Sequence, residues 1–298
     1  MSAATEYLGL DAYRDLPDPQ AVGLLGGVDA PPTYPQHNEM ARAISLKANL
    51  AKKDCRRLFC EGDSWFDFPG LLIPGPYNDI PDVLDKKHGY AVRRVSDAGD
   101  TLANMSRQEN LDQLKTKMAH DRPDVLLLSG GGNDLFAGGK SCASQLHDML
   151  RYAKPDDPID LDRMNGLIEY LASCAVRIMN VADGLSIPTI IHGYAQPPED
   201  VFGKPACKGI AGPWIAPVLK CKGYSPKQHG SAILKILIDA FNQRLQQLAD
   251  ARTDTHYLDL RETLAEPGLW RDELHLINDG WEAAADAFQS RIEQVITV

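Results

Sequence analysis

Along the chain, short apolar runs alternate with longer stretches in which apolar residues recur every three to four positions. The runs are candidate strands: 57–60, 91–95, 124–129, 189–192 and 255–260. Within the third, Val125-Leu126-Leu127-Leu128 is apolar without alternation, the mark of a strand covered on both faces. Helical periodicity occupies about 38–53, with Met40, Ala43, Ile44, Ala48 and Ala51 on one face. It returns over about 101–119, 161–185 and 227–251, and a last helix follows Asn278, running from Trp281 towards Val295. Strands alternating with helices predict an α/β sandwich around a mostly parallel sheet. Ligand sites in such sheets lie beyond the carboxyl ends of the strands.

Two segments break this rhythm. Residues 1–37 are rich in Pro, Gly and Asp with weak periodicity, and predict an irregular N-terminal arm ahead of a single domain over 38–298. Residues 194–228, rich in Pro and Gly, form a long insertion between a strand and a helix. A connection this long inside a compact domain usually serves as a lid or binding loop.

Composition narrows the setting. The net charge of −10 disfavours nucleic acid as the main partner, since phosphate binding calls for a basic face. No stretch approaches the roughly 18 apolar residues of a membrane span, and residues 1–27 lack the basic start and apolar run of a signal peptide. The cytoplasm is the default expectation, with signal-less export left open. The six cysteines are too few for a disulfide scaffold, and no Cys/His spacing resembles a zinc site. Cys207 and Cys221 bracket a Gly/Pro-rich segment that a bridge would close; spacing alone leaves that pairing open.

The chemistry gathers at the ends of elements. After strand one stands Gly62-Asp63-Ser64, after strand two Gly99-Asp100-Thr101, and after strand three Gly130-Gly131-Gly132-Asn133-Asp134. Asp272-Glu273-Leu274-His275 precedes the last helix. In a parallel sheet all four segments share one rim. Acyl transfer needs a hydroxyl, a base to take its proton, an acid to orient the base, and donors for the oxyanion. Ser64 is the candidate nucleophile, His275 the base and Asp272 the acid. The Ser64 and Gly99 amides and the Asn133 side chain are the candidate oxyanion donors.

These segments resemble the four conserved blocks of the SGNH, or GDSL, hydrolase superfamily. Gly62-Asp63-Ser64, Gly99-Asp100-Thr101, Gly131-Gly132-Asn133-Asp134 and the Asp272 to His275 pair occur in the family's order, over about 57–298. The resemblance implies a three-layer α/β/α sandwich of flavodoxin-like type, with a five-stranded sheet in the order 2-1-3-4-5. It also implies an esterase or lipase that works without metal or organic cofactor on a small-molecule or lipid ester. Two features depart from the family: Leu276 follows the histidine where many members have proline, and the 194–228 insertion matches no block.

Simpler readings exist for each part. The glycine run fits a tight turn or a phosphate cradle, although it lacks the last glycine of the dinucleotide pattern and the Walker lysine. The elbow of the ordinary α/β-hydrolases, Gly-x-Ser-x-Gly, fails at Phe66. Trp65 and Phe66 are candidates for an acyl pocket or for core, and His192 and Tyr194 are candidate substrate contacts at the same rim. A silent binding protein on this fold, or an acyltransferase using the same residues, are the competing functions.

Overall fold

The computed structural model describes residues 34–68, 77–136, 144–205 and 212–296, with backbone alone for 34–41. Five strands, β1 (Arg57–Glu61), β2 (Ala91–Arg94), β3 (Val125–Leu128), β4 (Thr189–His192) and β5 (Thr255–Leu258), form one sheet in the order β2-β1-β3-β4-β5. All four pairings are parallel, with Cys60 opposite both Arg94 and Leu127, and Leu128 opposite Ile191. β3 and β4 are buried at every position, as strands covered on both faces must be, while the edge strands β2 and β5 are half-exposed.

The helices are α1 (Tyr34–Leu50), α2 (Ile80–Lys86), α3 (Leu102–Met105), α4 (Gln108–Asp121), α5 (Gly132–Phe136), α6 (Gln145–Met149), α7 (Leu161–Asp183), α8 (Ala216–Cys221), α9 (Pro226–Asp250) and α10 (Asn278–Ile296). α1, α2 and α10 pack together as one layer, and α3, α4, α7 and α9 as the other. The result is the three-layer α/β/α sandwich, in the strand order that the resemblance implies.

Several boundaries differ from the sequence reading. α1 begins at Tyr34, inside the segment read as an arm; residues 1–33 lie outside the described residues. Its buried face is Ala43, Leu46, Asn49 and Leu50, not the one expected: Ile44 is 53% exposed. The reason is a buried polar residue. The Asn49 amide donates to Asp85 Oδ1 at 2.6 Å and to the Tyr90 carbonyl at 2.8 Å, so an asparagine sits where apolar periodicity looks for an aliphatic residue. The single helix expected over 101–119 is two, α3 and α4, parted at Ser106 and Arg107. The 194–228 insertion contains α8 and a 3₁₀ turn at Glu199–Val201. Cys221 is disulfide-bonded, and Cys207 lies outside the described residues.

The strand order steps from β1 to β2 on one side and to β3 on the other. A crevice opens at such a reversal, beyond the strands' carboxyl ends. Ser64 and Asn133 follow β1 and β3, the two strands that flank it.

Candidate active site

β1 ends at Glu61, and the chain then passes through Gly62, where there is no room for a side chain: a Cβ would meet the Ser129 carbonyl oxygen at 2.7 Å. That close approach brings the ends of β1 and β3 together. Asp63 then folds the turn around itself. Its Oδ1 accepts from the Trp65 amide at 3.0 Å and from the Ser129 hydroxyl at 2.8 Å. Its Oδ2 accepts from the Tyr194 hydroxyl at 2.6 Å. Asp63 is buried and acts as a brace, and Ser64 beside it remains half-exposed.

Ser64 Oγ lies 3.0 Å from His275 Nε2, and His275 Nδ1 lies 2.9 Å from Asp272 Oδ1. The same Asp272 oxygen accepts from the Leu274 and His275 amides at 2.9 and 3.0 Å, so a tight turn, not a helical one, holds acid and base together. An antiparallel bridge between Trp270 and Leu276 closes the base of that turn. Leu276 is therefore a buried residue that takes part in the bridge. Asp272 is fully buried and His275 is 5% exposed. Phe68 and Trp214 pack against the imidazole in T-shaped pairs, at centroid distances of 4.6 and 5.4 Å. A hydroxyl, an imidazole and a buried carboxylate joined in this way form a path for a proton from oxygen to nitrogen.

Asn133, at the start of α5, lines the cavity beside Ser64, and its Nδ2 donates to the Asp100 carbonyl at 2.8 Å. That bond fixes the amide plane and leaves its second hydrogen for a ligand. Asp134 accepts from the Leu102 and Ala103 amides at 2.9 and 3.3 Å, docking α3 onto α5. Gly99 has φ +89°, a left-handed value that demands glycine, and a Cβ there would meet only open space. The Asp97 amide donates to the Gly62 carbonyl at 3.0 Å, which holds the Gly99 loop against the nucleophile turn. Gly99 itself is exposed and is not among the residues that line the cavity.

The cavity over Ser64 has a volume of about 30 Å³ and mostly apolar walls, including Phe136, Ala195, Ile215, Ile238 and Trp270. Trp65 and Tyr194 also line it. Phe66 and His192 do not: both are fully buried behind it, with His192 stacked on Trp65 at 5.3 Å and 2.8 Å from Ser129 Oγ. Burial lowers the pKa of His192, which favours the neutral ring. Burial and the neighbouring Asp63 carboxylate raise that of Tyr194, which stays a phenol able to donate. The sequence reading missed Glu273, a fully buried carboxylate between the acid and the base, because a lone glutamate in a loop reads as solvated. Among the described residues no His/Cys/Asp/Glu group is arranged to hold a metal ion.

Residues 60–283 match the GDSL-like lipase/acylhydrolase family. The chain belongs to that family. Among solved structures, this GDSL-family chain is similar to a lipase from a goat rumen metagenome, at 15% identity and a TM-score of 0.49, over 79% of this chain and 96% of that one. It is similar to a GDSL-like lipase of Bacteroides thetaiotaomicron, at 13% identity and a TM-score of 0.47, over 85% and 97%. A family 3 carbohydrate esterase of Clostridium thermocellum gives 14% identity and a TM-score of 0.45, over 82% and 98%. No curated protein matches the GDSL-family chain. No helix among its described residues is long and apolar enough to cross a membrane.

Proposed function

We propose that this GDSL-family hydrolase cleaves carboxylic esters through an acyl-enzyme on Ser64. The observation that supports this most directly is the unbroken hydrogen-bond chain from Ser64 Oγ through His275 to Asp272, open to a cavity at one end and buried at the other.

Ser64 Oγ attacks the ester carbonyl carbon while its proton passes to His275 Nε2. Asp272, holding Nδ1–H, stabilises the imidazolium that forms. The carbonyl oxygen becomes an oxyanion and is received by the free hydrogen of the Asn133 amide and by the Ser64 backbone N–H. Collapse breaks the carbon–oxygen bond to the alcohol, which leaves with the proton from His275. Water then gives a proton to His275 and attacks the acyl carbon. Ser64 regains its proton and the carboxylic acid departs. The mostly apolar walls of the cavity beside Ser64 support an apolar acyl group as the part of the ester it receives.

The test is labelling and turnover together. Wild-type protein takes up one equivalent of a fluorophosphonate probe on Ser64 and hydrolyses an aryl acetate; Ser64→Ala does neither. Aryl ester hydrolysis at the wild-type rate by Ser64→Ala ends the proposal.

A further inference from the structure

Glu273 stands between Asp272 and His275 in sequence and is among the residues that line the cavity over Ser64. Its carboxylate is fully buried, and what it meets there is the backbone of the 194–228 insertion. The Trp214 and Ile215 amides donate to Oε2 at 2.6 and 2.7 Å, and the Gly203 and Ala216 amides donate to Oε1 at 2.9 Å each. A buried carboxylate with four N–H donors is fully compensated for its lost hydration, and bonds of this charge-assisted kind are the strong ones. Three of the four donors belong to the turn that opens α8, whose first amides have no partner inside the helix. Glu273 supplies what α8 lacks, across 57–59 residues of sequence.

The turn held in this way contributes to the site. Ile215 forms a wall of the cavity over Ser64, and the Trp214 and His275 rings pack in a T shape with centroids 5.4 Å apart. The next residue of the catalytic turn ties the other side: the Leu274 carbonyl accepts from Trp65 Nε1 at 3.0 Å, joining the turn to the nucleophile segment. Asp272, Glu273, Leu274 and His275 thus make four separate connections, to the base, the insertion, the nucleophile segment and the nucleophile itself.

We infer that Glu273 is the positioning residue that registers the insertion onto the catalytic turn, and that this clamp, through Ile215, sets the upper limit on acyl length. The inference rests on the ester-hydrolase reading for its substrate, but not for the clamp itself. In Glu273→Gln one acceptor oxygen becomes an NH₂ facing amide hydrogens, so two of the four bonds turn repulsive at unchanged size.

The experiment combines amide hydrogen exchange with kinetics on the full chain. In wild type the Gly203, Trp214, Ile215 and Ala216 amides exchange as slowly as amides of the central strands. In Glu273→Gln they exchange roughly 10- to 100-fold faster, the loss expected for bonds to a charged group. Over aryl acetate, butyrate and octanoate, the variant keeps fluorophosphonate labelling of Ser64. Its KM for acetate rises more than its kcat falls, and its kcat/KM preference for acetate over octanoate drops roughly tenfold. Ile215→Ala leaves the clamp in place and shifts the same preference towards longer chains, which tests the wall even if Glu273→Gln does not fold. Solvent-rate exchange of the four amides in wild type overturns the clamp. An unchanged chain-length preference in either folded variant overturns the role in specificity, whatever happens to thermal stability. Should wild type neither take the probe nor turn over any ester, the hydrolase reading falls, and the exchange rates alone still decide the clamp.

Discussion

An asparagine side chain offers two hydrogens, and at position 133 one of them already belongs to the Asp100 carbonyl. Replacing Asn133 with Ala removes the other and should lower kcat by roughly 10²–10³ with little change in KM, as loss of one oxyanion donor does; steady-state kinetics on an aryl acetate checks this. Glu61, the last residue of β1, titrates unusually for a carboxylate. Burial, assisted by the Asp100 charge, raises its pKa from 4.5 to about 8. The folded protein therefore holds a proton that the unfolded chain releases. The contribution to stability is complete below pH 4.5 and lost as pH rises through about 8. Glu61→Gln should show a smaller fall in Tm than wild type between pH 5 and pH 8, measured by thermal melts in matched buffers. Equal falls in the two proteins would refute the assignment. Ser64, Asn133, Asp272 and His275 were legible as candidates because their segments end separate elements that share one rim, although each residue type alone is common in turns and caps. Glu273 was not, since its partners are backbone amides that carry no residue signature.

Between elements, the true face of α1 is hidden because Asn49 occupies a buried position, whereas α2 escapes notice by its length: Ile80, Val83 and Leu84 give it apolar spacing, but over only seven residues. Asp79, which caps α2, and Asp82, in its first turn, both pair with Arg94 at the end of β2, and all three side chains are at least nine-tenths buried. The arginine's removal leaves two carboxylates without their shared partner, so Arg94→Met should destabilise the protein by about 3–5 kcal/mol. Urea unfolding measures this, and adding Asp79→Asn and Asp82→Asn should recover part of the loss. The 101–119 segment divides into α3 and α4 at Arg107, whose backbone is extended (φ −64°, ψ 147°). Thr101 caps α3 through its hydroxyl, and Asp134, from α5, holds the Leu102 and Ala103 amides. A contact from another element fixes where the helix begins.

For the molecule as a whole, alternation of apolar runs and helical periodicity was enough to predict a parallel sheet between two helical layers, because a strand apolar on both faces needs cover on both. The strand order came from the family resemblance, and the sheet bears it out. The reversal between β1 and β3 then explains why Ser64 and Asn133 line one cavity. The sequence by itself determined which residue types stand at each strand end, since turn chemistry and the cost of burying polar groups act locally. Tertiary structure alone decided how the 194–228 insertion meets the catalytic turn, that His192 lies behind the cavity, and that Leu276 serves as a bridge residue. Those outcomes depend on hydrogen bonds and packing between segments far apart in the chain, and neither spacing nor periodicity encodes such partners.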